Sequence, residues 1–188
     1  MAQVDYWFSP ISPFTYFAGD RLEKTGLTIN YRPFNIPAVF AATGGVPVPQ
    51  RSPQRQAYRL QEIERLAKKS GLPVNLKPAF FPVDASLACQ WMLVARNAGA
   101  DIGALARALL SAVWAEDKNI ADADTLAAIS EQLGMDATWL SAAADAAQLL
   151  TDETQAAIDA GVFGSPFYQV GEQLFWGQEK IDDLADYV

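Results

Sequence analysis

Strand signals occupy only the two ends of this 188-residue chain, and the long stretch between them is helical. Gln3 to Ser9 alternates, with Val4, Tyr6 and Phe8 on one face, and predicts a strand. Ser12 before Pro13 is a capped helix start, with serine at the N-cap and proline at the first helical position. It predicts a helix from Pro13 to Lys24 that ends near Gly26. Leu27 to Arg32 predicts a second strand, so the opening is strand, helix, strand, with a parallel crossover.

From Ala38 to Ala160 the apolar spacing is helical and strand signals are few. Helices are predicted over Pro53 to Ser70, Asp84 to Ala98, Ile102 to Trp114, Ala123 to Leu133, Ala137 to Ala144 and Asp152 to Ala160. Loops are marked by Gly71, Pro73, Pro78, Pro82, Gly99 and Gly134. Pro166 to Val170, the turn Gly171-Glu172 and Gln173 to Trp176 then read as a hairpin, and Gln178 to Tyr187 as a closing helix. This order specifies an α/β chain with a thioredoxin-like fold and an inserted all-helical domain. The expected division is residues 1–37 and 161–188 for the thioredoxin-like part and residues 38–160 for the insertion.

Composition narrows the chemistry. There is no histidine and one cysteine, Cys89. That removes histidine bases, Ser-His-Asp and Cys-His nucleophiles and the usual zinc sites, and no metal is expected. A lone cysteine forms no intrachain disulfide and fits a reducing, cytoplasmic setting. The N-terminal residues Met1 to Asp5 show no basic or apolar leader pattern. Net charge is −8 with no basic stripe, so nucleic acid is not an expected partner, and no apolar run is long enough for a membrane span. Any reactive group must be a carboxylate, a lysine, a hydroxyl or part of a bound cofactor.

Two places could carry that chemistry. In thioredoxin-like chains the start of the first helix favours an anion, a thiolate above all. Here the turn is Ser9-Pro10-Ile11-Ser12, so both positions open to a cysteine pair are serine and dithiol redox chemistry is excluded. Ser12 can donate to a thiolate brought by a ligand, or it can be an N-cap and nothing more. The second place is Ser165-Pro166. Proline at a strand start is unusual, and it reads either as a trans edge proline or as a cis bond that offers the Ser165 backbone to an extended ligand.

Asp5-Tyr6-Trp7-Phe8, Ser12 to Ala18, Arg32-Pro33-Phe34, Phe81-Pro82-Val83, Gly161 to Pro166 and Leu174 to Gln178 together resemble the 2-hydroxychromene-2-carboxylate isomerases. That family is related to the kappa-class glutathione transferases and lies on the DsbA-like branch of the thioredoxin fold. The resemblance implies a glutathione cofactor, with Ser12 at its sulfur as the catalytic residue. It implies Ser165 and a cis Pro166 at the cysteinyl unit, and Trp176, Gly177, Gln178 and Glu179 at the γ-glutamyl end. It implies an aromatic substrate beside Phe34, Arg55, Asn75 and Phe81, interconversion of 2-hydroxychromene-2-carboxylate and trans-o-hydroxybenzylidenepyruvate, and a homodimer.

The chain departs from the family's pattern in three places. Glu179-Lys180 stands where the family has Asp-Arg, Asp84-Ala85 where it has Asn-Thr, and Ala41 where it often has a lysine for the substrate carboxylate. A kappa-like transferase acting on another electrophile, and a glutathione-binding module without turnover, share the same serine and proline signature. Arg51, Arg55 and Arg59 open the long helix; Glu62 and Arg65 beyond Tyr58 read as a surface pair. Cys89 reads as a small core residue, and Trp91 and Trp114 as core or dimer contacts.

Overall fold

A computed structural model of the chain describes residues 3–188, so the readings that include Met1 and Ala2 lie outside the described residues. β1 (Gln3–Phe8) and β2 (Thr28–Pro33) pair in parallel around α1 (Pro13–Ala18), with Tyr6 opposite Tyr31. Seven helices follow: α2 (Ile36–Thr43), α3 (Pro53–Ser70), α4 (Ser86–Asn97), α5 (Gly103–Trp114), α6 (Ala123–Leu133), α7 (Ala137–Ala143) and α8 (Ala147–Asp159). β3 (Phe167–Val170) and β4 (Gln173–Trp176) form the hairpin, and α9 (Ile181–Tyr187) closes the chain. The sheet order is β2-β1-β3-β4, with β3 antiparallel to β1, as an α/β thioredoxin-like fold requires.

Alternation on β1 fills both faces of the sheet. Val4, Tyr6 and Phe8 join a core that reaches Trp91 on α4 and Trp114 on α5. Tyr6 stacks on Tyr168 of β3, with ring centroids 5.3 Å apart. Trp7 faces the other way, into a smaller cluster with Phe34, Val39, Ala157, Val162 and Phe167 that α2 and α8 complete. Cys89 is buried in the larger core, where burial raises its thiol pKa far above the usual range.

The sequence expectations differ most at three helix ends and at one helix they did not include. α1 stops at Ala18, not Lys24, because Gly19 leaves the helix at φ 56° and its N–H returns to the Tyr16 carbonyl; only a short 3₁₀ turn, Glu23–Thr25, follows. α2 was not predicted, although Asn35 caps it, accepting from Ala38 N–H, with Pro37 in the first turn. α8 begins at Ala147 rather than Asp152, since Ala146 supplies no side-chain cap that would mark the start. The closing helix begins as a 3₁₀ turn, Gln178–Lys180, and becomes α-helical at Ile181.

Glu153 on α8 ties the helical block to the sheet. Its carboxylate accepts from Arg32 Nε of β2 at 2.7 Å and from Arg96 Nη1 of α4 at 2.9 Å. Arg32 also lies 3.8 Å above the Trp7 ring and donates to Asp5 at 3.2 Å. Burial pushes the Glu153 carboxyl pKa up, but the bonds from Arg96 and Arg32 outweigh it and hold the group below its ordinary value of 4.5. Such a group stabilises the fold above its unfolded pKa and loses that contribution as pH falls through the folded value. Glu153→Gln should cost roughly 3 kcal/mol in urea unfolding at pH 7. The gap between variant and wild type should shrink as pH drops below the ordinary glutamate value; a gap unchanged down to acid pH would contradict this role.

Candidate functional site

The loop Ser9 to Ser12 carries the chain from β1 into α1, and Pro13 fixes the helix start. Ser12 Oγ accepts from Thr15 N–H at 3.3 Å, which is the N-cap bond. The same hydroxyl donates to the Ser165 carbonyl at 2.9 Å. Ser165 precedes Pro166 across a cis peptide bond, as expected; Phe81–Pro82 is also cis, which was not expected. The Ser165 side chain is anchored separately: its Oγ accepts from Ser9 N–H at 2.8 Å and lies 2.8 Å from Thr15 Oγ1. Two segments about 150 residues apart in sequence are thus joined by three hydrogen bonds at one point.

That point opens onto a cleft of about 1270 Å³. One wall is thioredoxin-like and includes Ser12, Ser165, Trp176 and Glu179; the other is helical and includes Arg55 and Phe81. Trp176 is 54% exposed and meets Phe163 edge to face, with centroids 4.9 Å apart. Gly164 gives the indole its place, because a Cβ there would lie 2.5 Å from Trp176 Nε1. Gly177 has φ 107°, a conformation that disfavours other residues, and its N–H donates to the Pro166 carbonyl at 3.0 Å. Gln178 lines the cleft, but its side-chain oxygen and backbone carbonyl both accept from Arg21 Nη1, at 2.9 and 3.0 Å.

Several expected site residues therefore meet in one cleft: Ser12, Ser165, Trp176, Gly177, Gln178, Glu179, Arg55 and Phe81. Pro166 lies behind it, buried. Phe34 and Asn75 do not line it. Phe34 N–H donates to the Phe8 carbonyl, extending the β1–β2 pairing, and the ring goes into the Trp7 cluster. Asn75 N–H donates to the Trp114 carbonyl at 2.7 Å, which holds its segment against the end of α5. Ala41 is exposed on α2 and outside the cleft lining. Glu62 and Arg65 form a 2.5 Å ion pair at the cleft edge.

Of the three arginines at this end of the helical wall, the sequence reading placed only Arg55 at the site. Arg51 lies just before α3, and Arg55 and Arg59, four residues apart on it, share one face of the helix. Burial, and after it the Arg51 charge, lowers the Arg59 pKa to about 10, so its guanidinium is still charged at neutral pH. Burial and then Arg55 lower Arg51 as well, and its Nε donates to the Val46 carbonyl. The arginine spacing was legible in the sequence, but α3's packing against α1 was not.

Glutathione fits these residues by chemistry. Ser12 offers a hydroxyl donor for a sulfur, and Arg51 and Arg55 suit a peptide with two carboxylates. Among the described residues no group of His, Cys, Asp and Glu could hold a metal ion, and no helix is long and apolar enough to cross a membrane.

Comparison with known proteins places these features in a family. Residues 3–188 match the model of the DSBA-like thioredoxin domain. A 2-hydroxychromene-2-carboxylate isomerase of Sphingobium xenophagum is 32% identical over 197 residues, covering 98% of this chain and 97% of its own. Glutathione S-transferase kappa 1 of Caenorhabditis elegans is 23% identical, covering 99% and 90%. A solved structure of a 2-hydroxychromene-2-carboxylate isomerase superposes with a TM-score of 0.76 at 27% identity, covering 98% and 93%.

The side-chain anchor of Ser165 predicts a structural cost for its loss. Ser165→Ala leaves Ser9 N–H and Thr15 Oγ1 without their partner, which should cost about 1–3 kcal/mol. Chemical unfolding measures it, and an unchanged midpoint would contradict the anchor.

Proposed function

This chain belongs to the DSBA-like thioredoxin domain family and, within it, to the family of the 2-hydroxychromene-2-carboxylate isomerases; from that premise we propose that it is a glutathione-dependent isomerase. The reaction proposed is the interconversion of 2-hydroxychromene-2-carboxylate and trans-o-hydroxybenzylidenepyruvate. The observation that carries the reading is the Ser12 hydroxyl, held at the mouth of the cleft against the Ser165 carbonyl. Glutathione, when bound, supplies a thiolate nucleophile that can add reversibly to a conjugated carbon and leave again.

The protein's own part is to hold that sulfur as an anion. Ser12 redirects its proton from the Ser165 carbonyl to the sulfur. The loop withstands this, because Ser165 stays fixed through Ser9 N–H and Thr15 Oγ1. The Ser165 backbone then receives the cysteinyl unit in strand fashion, with Trp176 to Glu179 beside the γ-glutamyl end. The aromatic and apolar side chains of the cleft exclude water from the conjugated substrate. A homodimer in the cytoplasm completes the proposal.

A second reading, transfer of the thiol to another electrophile, is favoured by the position of Ala41. The exposed face of α2 offers no cation there for a substrate carboxylate. Product analysis separates the two: an isomerase returns free glutathione and a transferase leaves a stable adduct.

Ser12→Ala tests the carrying observation. A hydrogen bond to a charged group is worth about 1.5–3 kcal/mol, so the thiol pKa of bound glutathione should rise by about one to two units in the variant. Loss of the N-cap should cost only about 1 kcal/mol of stability. Thiolate absorbance titrated on both proteins is the measurement, followed by turnover with and without glutathione. Superimposable titrations, or isomerisation that needs no glutathione, would overturn the reading.

A further inference from the structure

Arg59 is a buried arginine of the cleft wall, unlike Arg51 and Arg55. It is only 8% exposed, yet among the described residues its guanidinium has no hydrogen-bond acceptor and no carboxylate partner. Its contacts are aromatic: the guanidinium carbon lies 5.0 Å from the centre of the Phe81 ring and 5.5 Å from that of Trp114. These rings are 4.9 Å apart and form one surface. Burying an unpaired charge is unfavourable, and cation–π contact offsets only part of that cost. The residue lines the cleft, so its donors, which lie in the guanidinium plane, are available to a ligand there.

The place is close to the reacting centre. Trp114 Nε1 donates to the Ile11 carbonyl at 3.3 Å, and Ile11 is the neighbour of Ser12. The surface that carries Arg59 is therefore fastened to the loop that presents the serine. It belongs to the helical wall, across the cleft from Trp176 to Glu179.

We propose that Arg59 is the specificity-determining anion site of the second substrate, and that it receives a planar conjugated carboxylate whose body lies in the cleft beside Phe81. The chemistry selects this class. A guanidinium fork matches a carboxylate with two parallel N–H···O bonds, and a compact ammonium would not. The neighbouring rings favour a flat, apolar body over a hydrated one. Arg51 and Arg55 raise the positive field at the mouth and draw the anion in, although the chain as a whole is strongly acidic. The inference rests on the glutathione reading for the other wall of the cleft.

Calorimetry on the whole chain tests it, with cinnamate as the probe, cinnamamide as its neutral counterpart, and saturating glutathione. Glutathione affinity is measured first on wild type, Arg59→Met and Arg59→Lys. A wild type that binds no glutathione counts against the cofactor reading, and cinnamate is then titrated without it. Wild type should bind cinnamate at least tenfold more tightly than cinnamamide. Arg59→Met should lose that discrimination while keeping glutathione affinity, and Arg59→Lys should keep only part of it. The melting temperature of Arg59→Met should equal or exceed that of wild type, because an unpaired buried charge is gone. Equal binding of acid and amide by wild type would overturn the assignment. So would undiminished cinnamate binding in Arg59→Met, or a loss of glutathione affinity confined to the Arg59 variants, which would give Arg59 to the cofactor instead.

Discussion

The hydrogen bonds around Ser165 are the constraint on which the site depends. A peptide segment that arrives 153 residues after Ser12 must stop within bonding distance of it. Two independent ties achieve this: the Ser165 hydroxyl is held by Ser9 N–H and Thr15, and the Ser165 carbonyl is held by Ser12. The first belongs to the fold and persists whatever Ser12 does. The second is replaceable, since a hydroxyl can turn its proton from a carbonyl to a better acceptor, and a thiolate is one. A structural anchor beside an exchangeable donor lets one short turn, in the reaction proposed, serve both stability and chemistry.

The rest of the architecture supports that junction. Parallel pairing of β1 with β2 sets where the Ser9–Ser12 loop emerges, and antiparallel pairing of β1 with β3 brings Pro166 to the same end. The helical insertion supplies the facing wall. Glu153 fastens it to the sheet through Arg32, and Trp114 fastens it to the loop through Ile11. The two walls differ in character. The thioredoxin-like wall offers hydroxyls, backbone and an indole; the helical wall offers guanidinium groups over aromatic rings. A cleft of that kind suits a peptide thiol on one side and a flat anion on the other.

Much of this was legible in the sequence, for local reasons. Capped helices such as Pro53–Ser70 and Ala123–Leu133 match the structure residue for residue, because Ser52, Asp122 and the glycines at 71 and 134 mark their ends. The hairpin was equally plain from Gly171 and its flanking strands. α8 hid its start because alanine caps nothing, and α1 ended early because Gly19 leaves the helix before the periodicity does. At the site, Ser12 and Ser165 were found through local turn chemistry combined with family resemblance. Phe34 was misplaced because an aromatic at a strand end reads alike on either face, and the register with Phe8 decides it. Arg59 was passed over because burial is a tertiary property: a helix pattern shows the spacing of three arginines but not which one the aromatic rings cover.

A crystal structure of the chain with reduced glutathione tests the central claim most directly. The account predicts the sulfur within hydrogen-bond distance of Ser12 Oγ, the cysteinyl backbone paired with Ser165, and the Ser12 hydroxyl turned away from the Ser165 carbonyl. Glutathione bound elsewhere, or a Ser12 hydroxyl still donating to Ser165 with the sulfur out of its reach, would contradict it.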